Sequence, residues 1–341
     1  LLYVVLSALF KVFGIRKVMR FFPPIVTGPV IICIGLTLSS SAIDNCQSNW
    51  WIALVAILVV VVTNIFGKGM IKIIPILLGV VASYLVAAVS GNVDFTKVMA
   101  ADWVGLPFQW SNTVFGLFAR PDLDTSMLIT AAITIMPLAL ATMVEHIGDM
   151  CAISSTCSRN YLADPGLHRT LLGDGLATSL ASLFGAPANT TYGENTGVLA
   201  LSKVYDPKVI RIAAVLAILF SFSPKFEALV AAMPAATIGG VSMILYGMIS
   251  AVGVRNVVEN KVDFTKSRNV LIAAIIMVLS IGITYSGAGA VVIPAGSVTI
   301  QLSGLAVGAI VGILLNAILP GKDYEFGTDL QGDTAVNFIV R

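Results

Sequence analysis

Two carboxylates stand four residues apart in the apolar run that closes with Val144-Glu-His-Ile-Gly-Asp-Met150. On a helix, Glu145 and Asp149 share one face about a turn apart. At that spacing, ionising both is disfavoured, so the pair suits reversible proton loading. An ionisable group inside an apolar span costs about 2.5–3.5 kcal/mol for a central Asp on insertion scales, and it marks a functional position by default. The plainer alternative is that both carboxylates reach the headgroup region at a helix end. Glu194 is the third candidate. It follows Tyr192-Gly193 in a stretch rich in Gly, Pro, Thr and Asn, Phe184–Gly197, and opens a short apolar run. The helix dipole favours a carboxylate there, so Glu194 is either a cap or, in a broken span, a ligand for donor groups. Tyr192 offers an aromatic face to a ligand or simply packs, and Gly193 leaves the backbone open to approach. Ser242 and Tyr246 also lie four apart, either lining a site or bonding within a helix bundle. His146 and His168 are far apart, and Cys33, Cys46, Cys151 and Cys157 contain no Cys-x-x-Cys pair. No metal site, phosphate loop or nucleophile elbow is therefore expected, and no enzyme activity.

The elements that must carry these residues are membrane helices. Of the 341 residues, 57% are hydrophobic and 11% charged, against about 25% charged in soluble domains, and the mean hydropathy is +0.94. An exterior that faces lipid explains such a balance. A net charge of +2 gives no reason to expect nucleic acid as a partner. Runs long enough to approach a span of about 20 residues are Pro24–Ala42, Trp51–Phe66, Ile73–Val89, Ser126–Glu145 running on to Met150, Thr170–Leu183, Val209–Phe222, Pro234–Val252, Asn269–Tyr285 and Gln301–Leu319. Leu1–Phe13 reads as the end of another span, and a start without Met suggests that an N-terminal portion is missing. The stretch 184–204 reads as a broken span, an extended segment followed by a half helix. Irregular backbone at membrane depth is tolerated where it lines a cavity or is buried in protein, and transporters place substrate sites there. Gly304, Gly308 and Gly312 form a ladder of small residues that marks close helix packing, within the fold or between subunits.

The residues above resemble the nucleobase–ascorbate transporter family, most closely its bacterial uracil–proton symporters. The resemblance runs through Glu145-His-Ile-Gly, Asp164-Pro-Gly-Leu-His-Arg, Asn189-Thr-Thr-Tyr-Gly-Glu-Asn-Thr-Gly, Gly239-Gly-Val-Ser and Glu259-Asn-Lys-Val-Asp. The family signature falls on Glu194, Asn195 and Gly197, with Ser202 in place of Thr before Lys203. The resemblance implies an all-α membrane protein of fourteen spans in two inverted repeats of seven, with core and gate domains and a short antiparallel strand pair in the broken spans. This chain then lacks the first three spans. Residues 1–23 end a core-domain span and its cytoplasmic loop, 24–90 are gate-domain spans and 91–125 an external loop. Residues 126–222 are core-domain spans, broken near 184–204, 223–319 are gate-domain spans, and 320–341 a cytoplasmic tail.

It further implies that Glu145 and Glu194 bind the base, that Tyr192 and Gly193 line the site, that Ser242 and Tyr246 face it from the gate side, and that Asp149 and Glu145 couple the proton. The expected function is proton-coupled import of a nucleobase, uracil first. The alternatives are a purine carrier of the xanthine or uric acid type and an uncoupled facilitator or channel. Asp149 bears on that choice, since it stands where bacterial uracil carriers have His and purine-type members have Asp. The expected partners are uracil or a related base, a proton, the lipid bilayer and a second copy in a homodimer, with no cofactor beyond the coupling proton. The expected place is the bacterial inner membrane.

Charge sets the orientation. If the loop Lys11–Arg20 is cytoplasmic and the spans alternate, every one of the 20 Lys and Arg residues falls on the cytoplasmic side except Lys97, Arg120 and Lys225, as the positive-inside rule requires. Single cysteines placed in loops 91–125 and 159–169 should therefore react with an impermeant thiol reagent from opposite sides of the membrane. Reaction from one side alone would refute the span count.

Overall fold

The structure is a computed structural model that describes residues 1–121, 123–136, 138–157, 159–192, 195, 199, 204–295 and 298–322. Its helices are α1 (Leu2–Phe13), α2 (Ile15–Met19), α3 (Pro24–Gln47), α4 (Trp50–Phe66), α5 (Met70–Ile73), α6 (Pro75–Val89), α7 (Thr96–Ala100), α8 (Val114–Phe118), α9 (Thr125–Ile135), α10 (Leu138–Cys157), α11 (Leu167–Leu183), α12 (Pro207–Ser221), α13 (Pro224–Ala231), α14 (Ala235–Glu259), α15 (Ser267–Thr284) and α16 (Gly304–Ile318). Two strands, β1 (Ala290–Ala295) and β2 (Val298–Ser303), pair antiparallel, with Ala290 opposite Ser303 and Ala295 opposite Val298. Among the described residues, four helices are long and apolar enough to cross a membrane, and a fifth span results if α12 and α13 count as one.

Local chemistry explains where these helices start. Asn49 accepts from the N–H groups of Trp51 and Ile52, Asp124 from those of Ser126 and Met127, and Ser303 from that of Ala306. Each satisfies donors that a helix N-terminus leaves without an internal partner. Asp206 and Ser223 do the same ahead of Pro207 and Pro224, and proline at the first helical position loses no bond there.

The chain divides into two compact units. The first holds residues 1–37, 113–196 and 248–341. Its core gathers Phe10 of α1, Val26 and Val30 of α3, Ile147 of α10, Leu171 of α11 and Ile276 of α15. Here α15 and α16 pack on each other through the glycine ladder. A Cβ at Gly308 would strike the Ser280 side chain and lie 2.9 Å from the Ile276 carbonyl oxygen. One at Gly304 would reach Thr284 Oγ1 at 2.6 Å, and one at Gly312 would lie 2.5 Å from Ile276. The ladder thus serves packing inside the unit. At the other end of this pair, Arg268 donates to the Asn316 side chain at 2.7 Å and to the Asn316 carbonyl at 3.1 Å, and Asn316 donates to the Arg20 carbonyl at 2.7 Å. The guanidinium so meets carbonyl groups that the end of α16 cannot bond internally.

The second unit holds residues 38–112 and 197–247. Cys46, Ile52, Ala53, Ala87 and Ala236 form its core. Close approach again rests on glycine: a Cβ at Gly79 would strike Val60, and one at Gly239 would lie 2.7 Å from the Ala42 carbonyl oxygen. Helices α12 and α13 meet at 94°. The turn between them is tied to residues 102–105, with Gly105 N–H donating to the Phe222 carbonyl at 2.8 Å and Lys225 N–H to that of Asp102 at 2.9 Å. The Lys225 ammonium sits 4.8 Å from the Trp103 ring centroid. Large apolar side chains such as Leu58 and Leu85 stand about three-fifths exposed, as suits helices whose solvent is hydrocarbon.

One expectation needs correcting. The described strand pair joins α15 to α16. Residues counted into the span Gln301–Leu319 begin in β2, because Val298-Thr-Ile is β-branched and prefers a pleated strand. Residues 186–192 are non-helical, as expected. The run Ser126–Met150 falls within Thr125–Cys151, a single candidate span. Replacing Gly308 by Val should lower the thermal midpoint in detergent, since overpacking costs about 1–3 kcal/mol. Gly282, where a Cβ meets nothing within 4 Å, should tolerate Ala with little change.

Candidate functional site

The first unit collects buried polar groups around the middle of α10. Glu145, His146 and Asp149 are 5%, 5% and 4% exposed. Gly148 lets this stretch of helix approach its neighbours: a Cβ there would strike Ile31 of α3 and lie 3.2 Å from the Asn256 amide nitrogen of α14. Asn256 itself donates to Thr27 Oγ1 at 3.2 Å. The helical spacing read from the sequence therefore holds, and Glu145 and Asp149 are both withdrawn from the surface of the unit.

Three other segments meet this face of α10. From α11 come Thr170 and Asp174, one turn apart. From the non-helical stretch come Thr190 and Thr191. The Thr190 hydroxyl donates to Glu145 Oε2 at 3.3 Å. His146 Nδ1 lies 3.0 Å from Asp174 Oδ2 and 2.8 Å from Thr191 Oγ1, and the Thr191 hydroxyl donates to the same Asp174 oxygen at 3.2 Å. On the far side of the ring, Nε2 lies 3.0 Å from Thr170 Oγ1. From α1, Tyr3 stands edge-on to the imidazole with centroids 6.2 Å apart. Its backbone approaches α11 closely because Gly175, beside Asp174, has no side chain: a Cβ there would lie 2.6 Å from that of Tyr3.

The extended stretch is thus held at its two threonines, and the hydroxyls compensate in part for the carboxylates' loss of water. Carboxylates arranged so can accept from the N–H groups of a ligand or hold a proton. Tyr192, the next residue, is 62% exposed, so its ring is not packed into the unit. Asn195 is helical and exposed. Gly193, Glu194, Gly197, Ser202 and Lys203 lie outside the described residues, as does the tail from residue 323. Ser242 and Tyr246 fall on α14 within the second unit, both half-buried and one turn apart. Among the described residues, no group of three or more His, Cys, Asp or Glu side chains is placed to hold a metal ion.

The sequence reading passed over Asp174 and treated His146 only as a poor metal candidate. Asp174 carried a signal all the same, being an acidic residue inside the apolar run Thr170–Leu183, where a charge calls for a partner. Thr190 and Thr191 had no comparable signal, because their partners are distant in sequence.

The uracil permease of Bacillus caldolyticus is 40% identical over 333 residues, covering 94% of this chain and 73% of the relative. The uracil permease of Bacillus subtilis (strain 168) is 38% identical over 350 residues, covering 98% and 76%. The putative pyrimidine permease RutG of Escherichia coli (strain K12) is 36% identical over 332 residues, covering 94% and 70%. The sequence model described as the permease family matches residues 1–289. Together with the apolar helices, these matches make the protein a multi-pass membrane transporter, and the chain belongs to the permease family.

Proposed function

We propose that the protein imports a nucleobase, uracil first, together with a proton, across the bacterial inner membrane. The observation that carries this reading is the buried carboxylate of Glu145, bonded by Thr190 of the extended stretch, in a chain whose relatives are named uracil permeases. Uracil presents ring N–H donors beside carbonyl acceptors. A carboxylate accepts from such donors, and hydrogen bonds to charged groups contribute about 1.5–3 kcal/mol each. The same negative charge repels an anionic cargo. In this reading Glu145 and Glu194 hold the base, Tyr192 and Gly193 line its site, and Ser242 and Tyr246 face it from a gate domain. The whole transporter then has fourteen spans in inverted repeats and works as a homodimer. Asp149, one turn from Glu145 in a shared low-dielectric setting, shares charge with it as a coupled pair and carries the proton. A purine carrier is the second reading, favoured by an Asp at position 149, and competition of labelled uracil uptake by a panel of bases separates the two.

Glu194→Gln keeps the shape but sets an N–H of the protein against an N–H of the base. Uracil affinity should fall about tenfold or more, the loss expected for one charged hydrogen bond. Unchanged affinity would reduce Glu194 to a helix cap. Asp149→Asn should still bind the base, while the pH dependence of uptake into proteoliposomes flattens. An unaltered pH profile and gradient dependence would move the coupling proton to another group, Glu145 being the nearest.

A further inference from the structure

His146 takes no part in the scheme above, yet it is buried and both of its ring nitrogens are engaged. The triangle at Nδ1 fixes one proton there. The Thr191 hydroxyl donates to Asp174 Oδ2, so its oxygen is left to accept, and Nδ1–H points to Asp174 and Thr191 together at 3.0 and 2.8 Å. The opposite nitrogen has a choice. The Thr170 hydroxyl lies 3.0 Å from Nε2 and 3.2 Å from the Leu167 carbonyl oxygen. With Nε2 bare, that hydroxyl donates to the ring. With Nε2 protonated, the ring donates to Thr170 Oγ1 and the hydroxyl turns to the carbonyl. Rotation of one hydroxyl satisfies both states without moving a heavy atom, so neither leaves a buried polar group unmade.

We propose that His146 gains and loses a proton at Nε2 and that, with Asp174, it is the positioning pair for the extended stretch, holding Thr191 tightly when charged and loosely when neutral. The imidazolium and the Asp174 carboxylate then form a charge-assisted bond, stronger than the neutral one. Thr191 is bonded to both partners, Thr190 beside it meets Glu145, and Tyr192 follows. The titratable groups around the ring are Asp174 from α11, Tyr3 from α1, and Glu145 and Asp149 on α10 itself. The link to base binding rests on the transporter reading above, whereas the link to Thr191 does not.

The experiment uses the protein in membranes, with the 4 native cysteines replaced and Tyr192→Cys as the reporter. Without ligand, the labelling rate by a maleimide should rise about tenfold from about pH 5 to 8 after correction for reagent chemistry on an unfolded peptide. His146→Asn keeps a donor at the Nδ1 position and removes the Nε2 site, so labelling should lose its pH dependence. The same rise in His146→Asn would overturn the proposal. Thr170→Val is the milder variant and decides the matter if His146→Asn does not fold. It takes the acceptor from the charged Nε2–H, a larger loss than that of the donor to the bare nitrogen, and should move the labelling midpoint to lower pH. An unmoved midpoint would overturn the proposal equally. Uracil binding with native Tyr192 is measured in parallel. If labelling follows the prediction while uracil fails to bind, the nucleobase reading fails and the positioning pair stands.

Discussion

A carboxylate withdrawn from water needs a partner, and much of the first unit is arranged around that requirement. Glu145 and Asp174 lie on two neighbouring helices, and leaving them bare would be far costlier than any single packing defect. Imidazole and threonine hydroxyls supply partners without introducing a fixed cation. The consequence is local order in a stretch that has no helical bonds of its own: Thr190 and Thr191 are held because the carboxylates need them.

Small residues make that arrangement reachable. Gly148 brings α10 onto α3 and α14, and Gly175 brings α1 onto α11. Between apolar helices in lipid, burial offers little drive, so van der Waals fit and close backbone approach decide which faces meet. The ladder of Gly304, Gly308 and Gly312 shows the same economy on α16. There the partner is α15, in the same unit, and a cluster of carboxylates is absent from the contact as described.

The helices were largely legible in the sequence because their cause is local. Apolar length marks the spans, and Asn49, Asp124, Asp206 and Ser303 mark their beginnings. The spacing of Glu145 and Asp149 was legible for the same reason. Asp174 carried the local signal of a charge inside an apolar run, but its pairing appears only when Thr191 is brought across from another segment, and nothing local to either residue announces the other. The hairpin was misread because a short β-branched run before a helix is apolar in either form, and periodicity cannot separate the two over so few residues. The glycine ladder announced close packing but not against what.

The right angle between α12 and α13 has a mechanical consequence. The eight residues of α13 extend about 12 Å across the axis of α12. That foot is fastened on one side by the bonds of Gly105 and Lys225 to the turn and by the stacking of Lys225 on Trp103. The corner is therefore braced from outside, by residues 102–105, and neither helix sets the angle alone.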